Sequence, residues 1–493
     1  MDQPYWTYED CFIFKPDFNG SIIEYLNIIK LYSKLIFSDY NDLESSLQKI
    51  NNKNYCNGSK HIGSKFNIPL TNSFDQLINI THMTFGGGFN QPLENSLDKL
   101  INLMEINFGF NFNVQLANSL DKLINLNHIT FGNCFNQPLD NSLIQLINLT
   151  HITFGGNFNV QLANSLDKLI NLTHITFDYS FDYSFDYSFD QPLDNSLDKL
   201  TNLTHITFGC HFNQPLCNSL DQLINLTHIT FGYSFDQPLA NSLDKLTNLN
   251  HIEFGIKFNI SLYNSLDKLI NLTHLTFGEE FNQPLSNSLD QLINLTHITF
   301  GYSFDQPLAN SLDKLINLTH ITFSCHFNKP LSNSLDKLVN LTHITFGWNF
   351  NQPLANSLDQ LINLTVMKFG SDFNHPLSNT LYYLTKLEHL TLGYGFNQEL
   401  ILPSNIKILT LNCNNKNLID NLPNSIELLN LDVRFNLSLD NLPSSIKKIS
   451  FNVDSKYDNK LNNLPKSLEQ LELPRNYKLE IKNIPQNCKI IYL

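Results

Sequence analysis

Apolar residues fall along this chain with one repeating phase. In the segment that opens at Phe158 they stand at offsets 0, 4, 8, 11, 14, 17 and 19, as Phe158, Leu162, Leu166, Leu169, Leu172, Ile175 and Phe177. The spacing begins near the helical period and ends in strand alternation. Leu172-x-x-Ile175-x-Phe177 predicts a short strand that turns Ile175 and Phe177 inward and His174 and Thr176 outward. On the opposite side, Asn-Ser-Leu-Asp-Lys-Leu, with Ser165 placed to cap, predicts a single helical or 3₁₀ turn.

The pattern returns every 23 residues, from Phe66 to Phe158 and again from Phe189 to Phe396. A period of this length means stacked coils. Each coil would bury about seven apolar side chains at roughly 1.5 to 3 kcal/mol each, against an ordering cost of about 1 to 2 kcal/mol per residue. These sums roughly cancel, so a lone coil should not fold and contacts between neighbours must carry the stability. The phase breaks once, by an eight-residue insertion at 181–188 that belongs to a tandem Asp-Tyr-Ser-Phe repeat starting at Asp178. Replication slippage accounts for it, and a loop past Phe177 should absorb it cheaply. The alternative is a sticky or phosphorylatable tongue carrying Tyr179, Tyr183 and Tyr187.

The organisation expected is an N-terminal cap at 1–17, degenerate repeats at 18–65, tandem 23-residue repeats at 66–400, and shorter Leu-Pro-type repeats with a C-terminal cap at 401–493. Phe18, Ile22, Leu26, Ile29, Leu35 and Phe37 match the coil template, and the distance from Phe18 to Phe66 leaves room for a second worn coil. Leu402-Pro403, Leu422-Pro423, Leu442-Pro443 and Leu464-Pro465 mark the second subtype. A strand at Ile491-Tyr492-Leu493 would leave an open sheet edge there.

The Leu-x-x-Leu-x-Leu strand together with Gln-Pro-Leu-x-Asn-Ser-Leu resembles the leucine-rich repeat superfamily. Phe-Asn-Gln-Pro-Leu at 89–93, 135–139, 281–285 and 350–354 more closely resembles the FNIP repeats of social amoebae and of the giant viruses that infect amoebae. The resemblance implies a repeat solenoid with a parallel β-sheet on its concave face and short turns and loops on its convex face. It also implies protein binding. FNIP proteins often carry an F-box ahead of the repeats, which implies a second role as substrate receptor of a ubiquitin ligase. Residues 1–65 do not read as that helical module.

Lys and Arg number 31 against 45 Asp and Glu, a net charge of −14. Affinity for phosphate-rich partners comes largely from basic residues, so nucleic acid is an unexpected partner. No apolar run reaches membrane-spanning length and no basic leader precedes one. Cysteines show no Cys-x-x-Cys spacing, which fits a reduced compartment. These features predict a cytoplasmic protein, in the host-cell cytoplasm if the chain is viral. No cofactor is implied. No nucleotide loop or His-Glu-x-x-His is present, and the coil's Asp falls on the side opposite its His, so no enzyme is expected.

Two sets of outward residues are candidates for function. The first is a histidine opening almost every strand, including His228, His251, His274, His297 and His320, with Glu105 and Val366 as exceptions. Imidazoles at strand spacing repel when charged, so the row should titrate below the usual range. It is open to three readings: a metal row, which lacks regular Cys or carboxylate ligands, a pH-responsive binding face, or a neutral stack copied by duplication. The second set is the variable pair before each Phe, where Tyr233, Tyr302 and Trp348 are candidate partner anchors. Neutral drift of exposed loop positions is the competing explanation.

Overall fold

The computed structural model describes residues 3–51, 60–70, 73–177, 188–354 and 356–493. It comprises two compact units, Met1–Gly255 and Ile256–Leu493.

The first unit begins with β1 (Tyr5–Tyr8) antiparallel to β2 (Cys11–Phe14), and β2 lies parallel to β3 (Lys34–Phe37). Phe18, where a degenerate coil is expected, stacks on Phe66 at 5.9 Å, the same spacing as Phe66 on Phe89. β3 pairs directly with β4 (His82–Thr84), Leu35 opposite Met83, and Phe37 stacks on Phe66 at 4.1 Å. Between β3 and β4 in the chain stands the helix Leu43–Asn51, opened by Asp42, whose carboxylate accepts from the Ser45 amide at 2.8 Å. Leu43, Leu47 and Ile50 lie on one helical face and cover Cys11, Ile13 and Ile36 on the sheet.

From β4 onward one short parallel strand recurs per coil, each opening at the histidine position, to His251–Glu253 in the first unit. The second unit repeats the arrangement from His274–Thr276 to Lys489–Tyr492. Strands pair in register, as His151 opposite His174 and Ile152 opposite Ile175. Their inward residues are buried and their outward ones half-buried. Two phenylalanine columns fill the core, spaced 6.1 Å at Phe112–Phe135 and 5.7 Å at Phe108–Phe131, with offset contact between columns at 4.2 Å. The opposite side is a run of single turns: Ser165 N to Leu162 O, Leu169 N to Leu166 O and Leu172 N to Leu169 O, all 2.9 Å. Regular helix is scarce among the described residues. The residue after the second apolar position is left-handed even where it is not glycine, as in Ala163 (φ 43°) and Ala240 (φ 42°).

The tandem tetrapeptide at 178–187 lies outside the described residues. Its flanks keep the register, since His174 pairs with His205 and Phe158 stacks on Phe189 at 6.1 Å.

Candidate functional site

Much of the recurring polar sequence is spent on stapling coils together. The Asn of Phe-Asn-Gln accepts through Oδ1 from the backbone amide one coil on, and there also from the Gln side chain, as Asn213 does from Asp236 N (2.9 Å) and Gln237 Nε2 (3.1 Å). This accounts for the motif without any binding role.

The histidines form stacked rows. In the first unit, ring centroids from His128 to His228 are 4.1 to 4.2 Å apart and nearly parallel, opening to 5.3 Å at His251. In the second, His274, His297, His320 and His343 stack at 4.1 to 4.3 Å. From His128 to His228, and from His274 to His343, Nδ1 is tied to the preceding residue. Thr173 Oγ1 lies 2.8 Å from His174 Nδ1 and donates to Thr150 O at 3.0 Å. A hydroxyl has one proton; with it on the carbonyl, Nδ1–H is the donor and Nε2 keeps its lone pair facing out. His128 is fixed the same way by Asn127 Oδ1 at 2.6 Å.

Burial first, and the adjoining imidazoles second, hold His174, His297 and His320 below the usual histidine range. His205 is pushed down to about 4 for the same reasons. The direction is the one expected, but desolvation leads and ring-to-ring repulsion follows. Near His343 and His389 the Lys368 ammonium adds to the effect of burial. Parallel stacked rings send their Nε2 lone pairs along parallel lines, whereas zinc needs ligands that converge tetrahedrally. Among the described residues no cluster of three His, Cys, Asp or Glu is placed to hold a metal ion. The row interrupts at Glu105, whose carboxylate lies 3.9 Å from His82, and at Val366.

At the strand exits of the second unit, Tyr302, Trp348 and Tyr394 occupy the same coil position in every other coil. They are 48%, 65% and 52% exposed, so large apolar rings face solvent. Their backbone is held: Asn349 N donates to Cys325 O at 2.9 Å and Asp372 N to Trp348 O at 2.8 Å. Tyr302 meets the His326 ring at 4.3 Å, and the Arg434 guanidinium sits 4.5 Å over Tyr394. In the first unit Tyr233 is only half-exposed, and Phe110 is the exposed ring at that position. The anchors lie at the exits of the strands that the histidines open.

Sequence reading missed a groove of about 810 Å³ in the second unit, lined by the Asn ladder 271 to 363, the Thr ladder 273 to 365 and Lys386. The signal that could have found it is the Asn-Leu-Thr triplet, unbroken in the five coils from Asn271 to Thr365.

No family model matches the chain, and no curated protein matches it. Among solved structures it is similar over 99% of its length to CroV588, described as a circular leucine-rich-repeat protein, with a TM-score of 0.69, 25% identity and 77% of that chain covered. It also shares its fold with TLR13 in the TLR13–ssRNA13 complex, at TM-score 0.51 and 16% identity, covering 85% of this chain and 75% of that one. The Toll–Spätzle complex of Drosophila gives TM-score 0.55 and 14% identity, covering 92% and 64%. The chain therefore has the leucine-rich-repeat solenoid fold. Among the described residues no helix is long and apolar enough to cross a membrane.

Proposed function

We propose that this solenoid is a non-enzymatic protein-interaction scaffold of the FNIP-repeat type, working in the cytoplasm, and that its partner docks on the strand exits of the second unit. The observation that carries this is the rank of Tyr302, Trp348 and Tyr394. Large rings half exposed or more on a hydrogen-bonded backbone lose little entropy on binding, and Tyr and Trp dominate interface energetics. Two coils separate successive rings, about 10 Å at strand spacing, enough for each to enter its own pocket on a partner. Tyr233, His228 and His251 are the corresponding positions of the first unit, and in the second His274, His297 and His320 open the strands beside the rings and would offer ring nitrogens to the partner's hydrogen-bonding groups. A net charge of −14 favours a protein over a nucleic acid as the partner.

The test is affinity purification with mass spectrometry from the expressing cell, comparing the natural chain with Trp348→Ala and Tyr302→Ala. Both sites are exposed, so circular dichroism should not change. The expected outcome is loss of the same partner from both variants. Unchanged recovery removes these residues from the interface.

A further inference from the structure

We propose that the groove of the second unit is a binding site for an extended linear polysaccharide, with sugar rings laid along the stack of coils. This is independent of the protein-binding edge and uses other residues.

The groove is polar and already ordered. Asn294, Asn317 and Asn340 each donate one Nδ2 proton to the carbonyl of the residue 24 positions earlier, at 2.8 to 2.9 Å. That fixes each amide, which has a second N–H and an Oδ1 acceptor beyond this bond. Such a pair matches a hydroxyl group, which both donates and accepts. The threonines opposite are pinned too, Thr319 Oγ1 donating to Thr296 O at 3.0 Å. At one end Lys386 Nζ donates to Asn363 Oδ1 at 2.7 Å, which shows the amide oxygens accepting from a strong donor. Each asparagine follows a half-exposed aliphatic residue, such as Ile293, Ile316 or Val339, suited to the C–H faces of sugars.

Period selects among linear ligands. Coils repeat at about 4.8 Å, whereas an extended peptide rises about 3.3 Å per residue, so it comes into step with the amides only at every second coil. A β-1,4-linked glycan advances by nearly one coil per sugar. Polyamines can reach the Oδ1 row but leave every second N–H of the amides unused. The Asn and Thr ladders accommodate about five sugars.

Calorimetric titration of the full chain with cellohexaose should give saturable heat for one site. Maltohexaose has the same sugar in a coiled chain and should bind about ten-fold more weakly or worse. Asn317→Ala combined with Asn340→Ala should weaken cellohexaose by at least about ten-fold, for the hydrogen bonds lost. Should that variant misfold, Thr319→Val keeps the shape, removes one hydroxyl and should still reduce affinity several-fold. Absence of saturable heat with cellohexaose overturns the proposal, as does equal affinity for maltohexaose. Binding of spermine in place of the glycan, abolished by the same variants, would make the groove a polyamine site and also overturn it.

Discussion

Replacing Gly232 by alanine should destabilise the first unit sharply, although the substitution is mild elsewhere. A Cβ built on Gly232 would lie 1.8 Å from the Gly209 carbonyl oxygen and 2.5 Å from its carbon. Reaching even 3.0 Å requires the coils to part by roughly 1.2 Å, the difference between 3.0 and 1.8. Ser234 N donates to Cys210 O across the same gap at 2.8 Å, and that opening breaks the bond. Overpacking costs about 1 to 3 kcal/mol and a lost hydrogen bond about 1, so a total near 3 kcal/mol is expected. For a unit of this size that lowers Tm by about 6 to 12 °C. The sign is informative, because Gly→Ala at a compatible position stabilises by about 0.4 to 1 kcal/mol. Nature supplies the control. Ser324 stands where neighbouring coils have Gly301 and Gly347, and its hydroxyl donates to Phe304 O at 2.6 Å and accepts from Phe327 N at 3.0 Å. In the coil before, Phe304 N bonds instead to Gly301 O at 3.3 Å. Gly232→Ser can form that alternative turn, and should recover about 1 kcal/mol relative to alanine. Thermal melts followed by far-ultraviolet circular dichroism decide it. A Tm for Gly232→Ala equal to or above that of the natural chain would refute the close stacking of coils.

Other consequences follow from the same geometry. Ala163→Gly and Ala240→Gly relieve left-handed backbone at φ 43° and 42° and should each raise stability by about 0.5 to 1 kcal/mol, seen as a higher urea midpoint. The histidine row makes stability depend on acid. At His174, His205 and His320 the folded pKa values are lowered, so the unfolded chain binds more protons below its own pKa near 6.5. Stability is then full above that pH and is lost as pH falls toward about 4, the value for His205. A urea midpoint constant between pH 7 and 4.5 would contradict this, and His174→Asn, His205→Asn and His320→Asn together should flatten the profile. Lys329 bonds Asp305 at 2.6 Å where other coils use Gln on Asn. Lys329→Gln should change stability by less than about 0.5 kcal/mol, since half-exposed ion pairs contribute little.

The coil was legible in the sequence because its stabilising contacts repeat with the chain's own period. Ile175 and Phe177 inward, His174 and Thr176 outward, and the turn after Leu162 all follow from one repeat read alone. What escaped were contacts made across coils. The bond from Asn317 to Ile293 O joins residues 24 apart and is invisible within one repeat, so the groove it orders was missed. The spacing from Phe18 to Phe66 reads as two coils plus two residues, and the direct stacking of Phe18 on Phe66 and pairing of β3 with β4 are contacts across coils that spacing alone does not show. The depressed histidines were foreseen from repulsion, while burial beside the threonines, the larger cause, needs the packed neighbours to be seen.

The most direct test of the functional account is hydrogen–deuterium exchange of the chain with and without the partner recovered by purification. The account predicts slowed exchange at the strand exits around Tyr302, Trp348 and Tyr394, with the opposite-side turns such as 332–338 unchanged. Protection confined to those turns, or to the first unit alone, would contradict it.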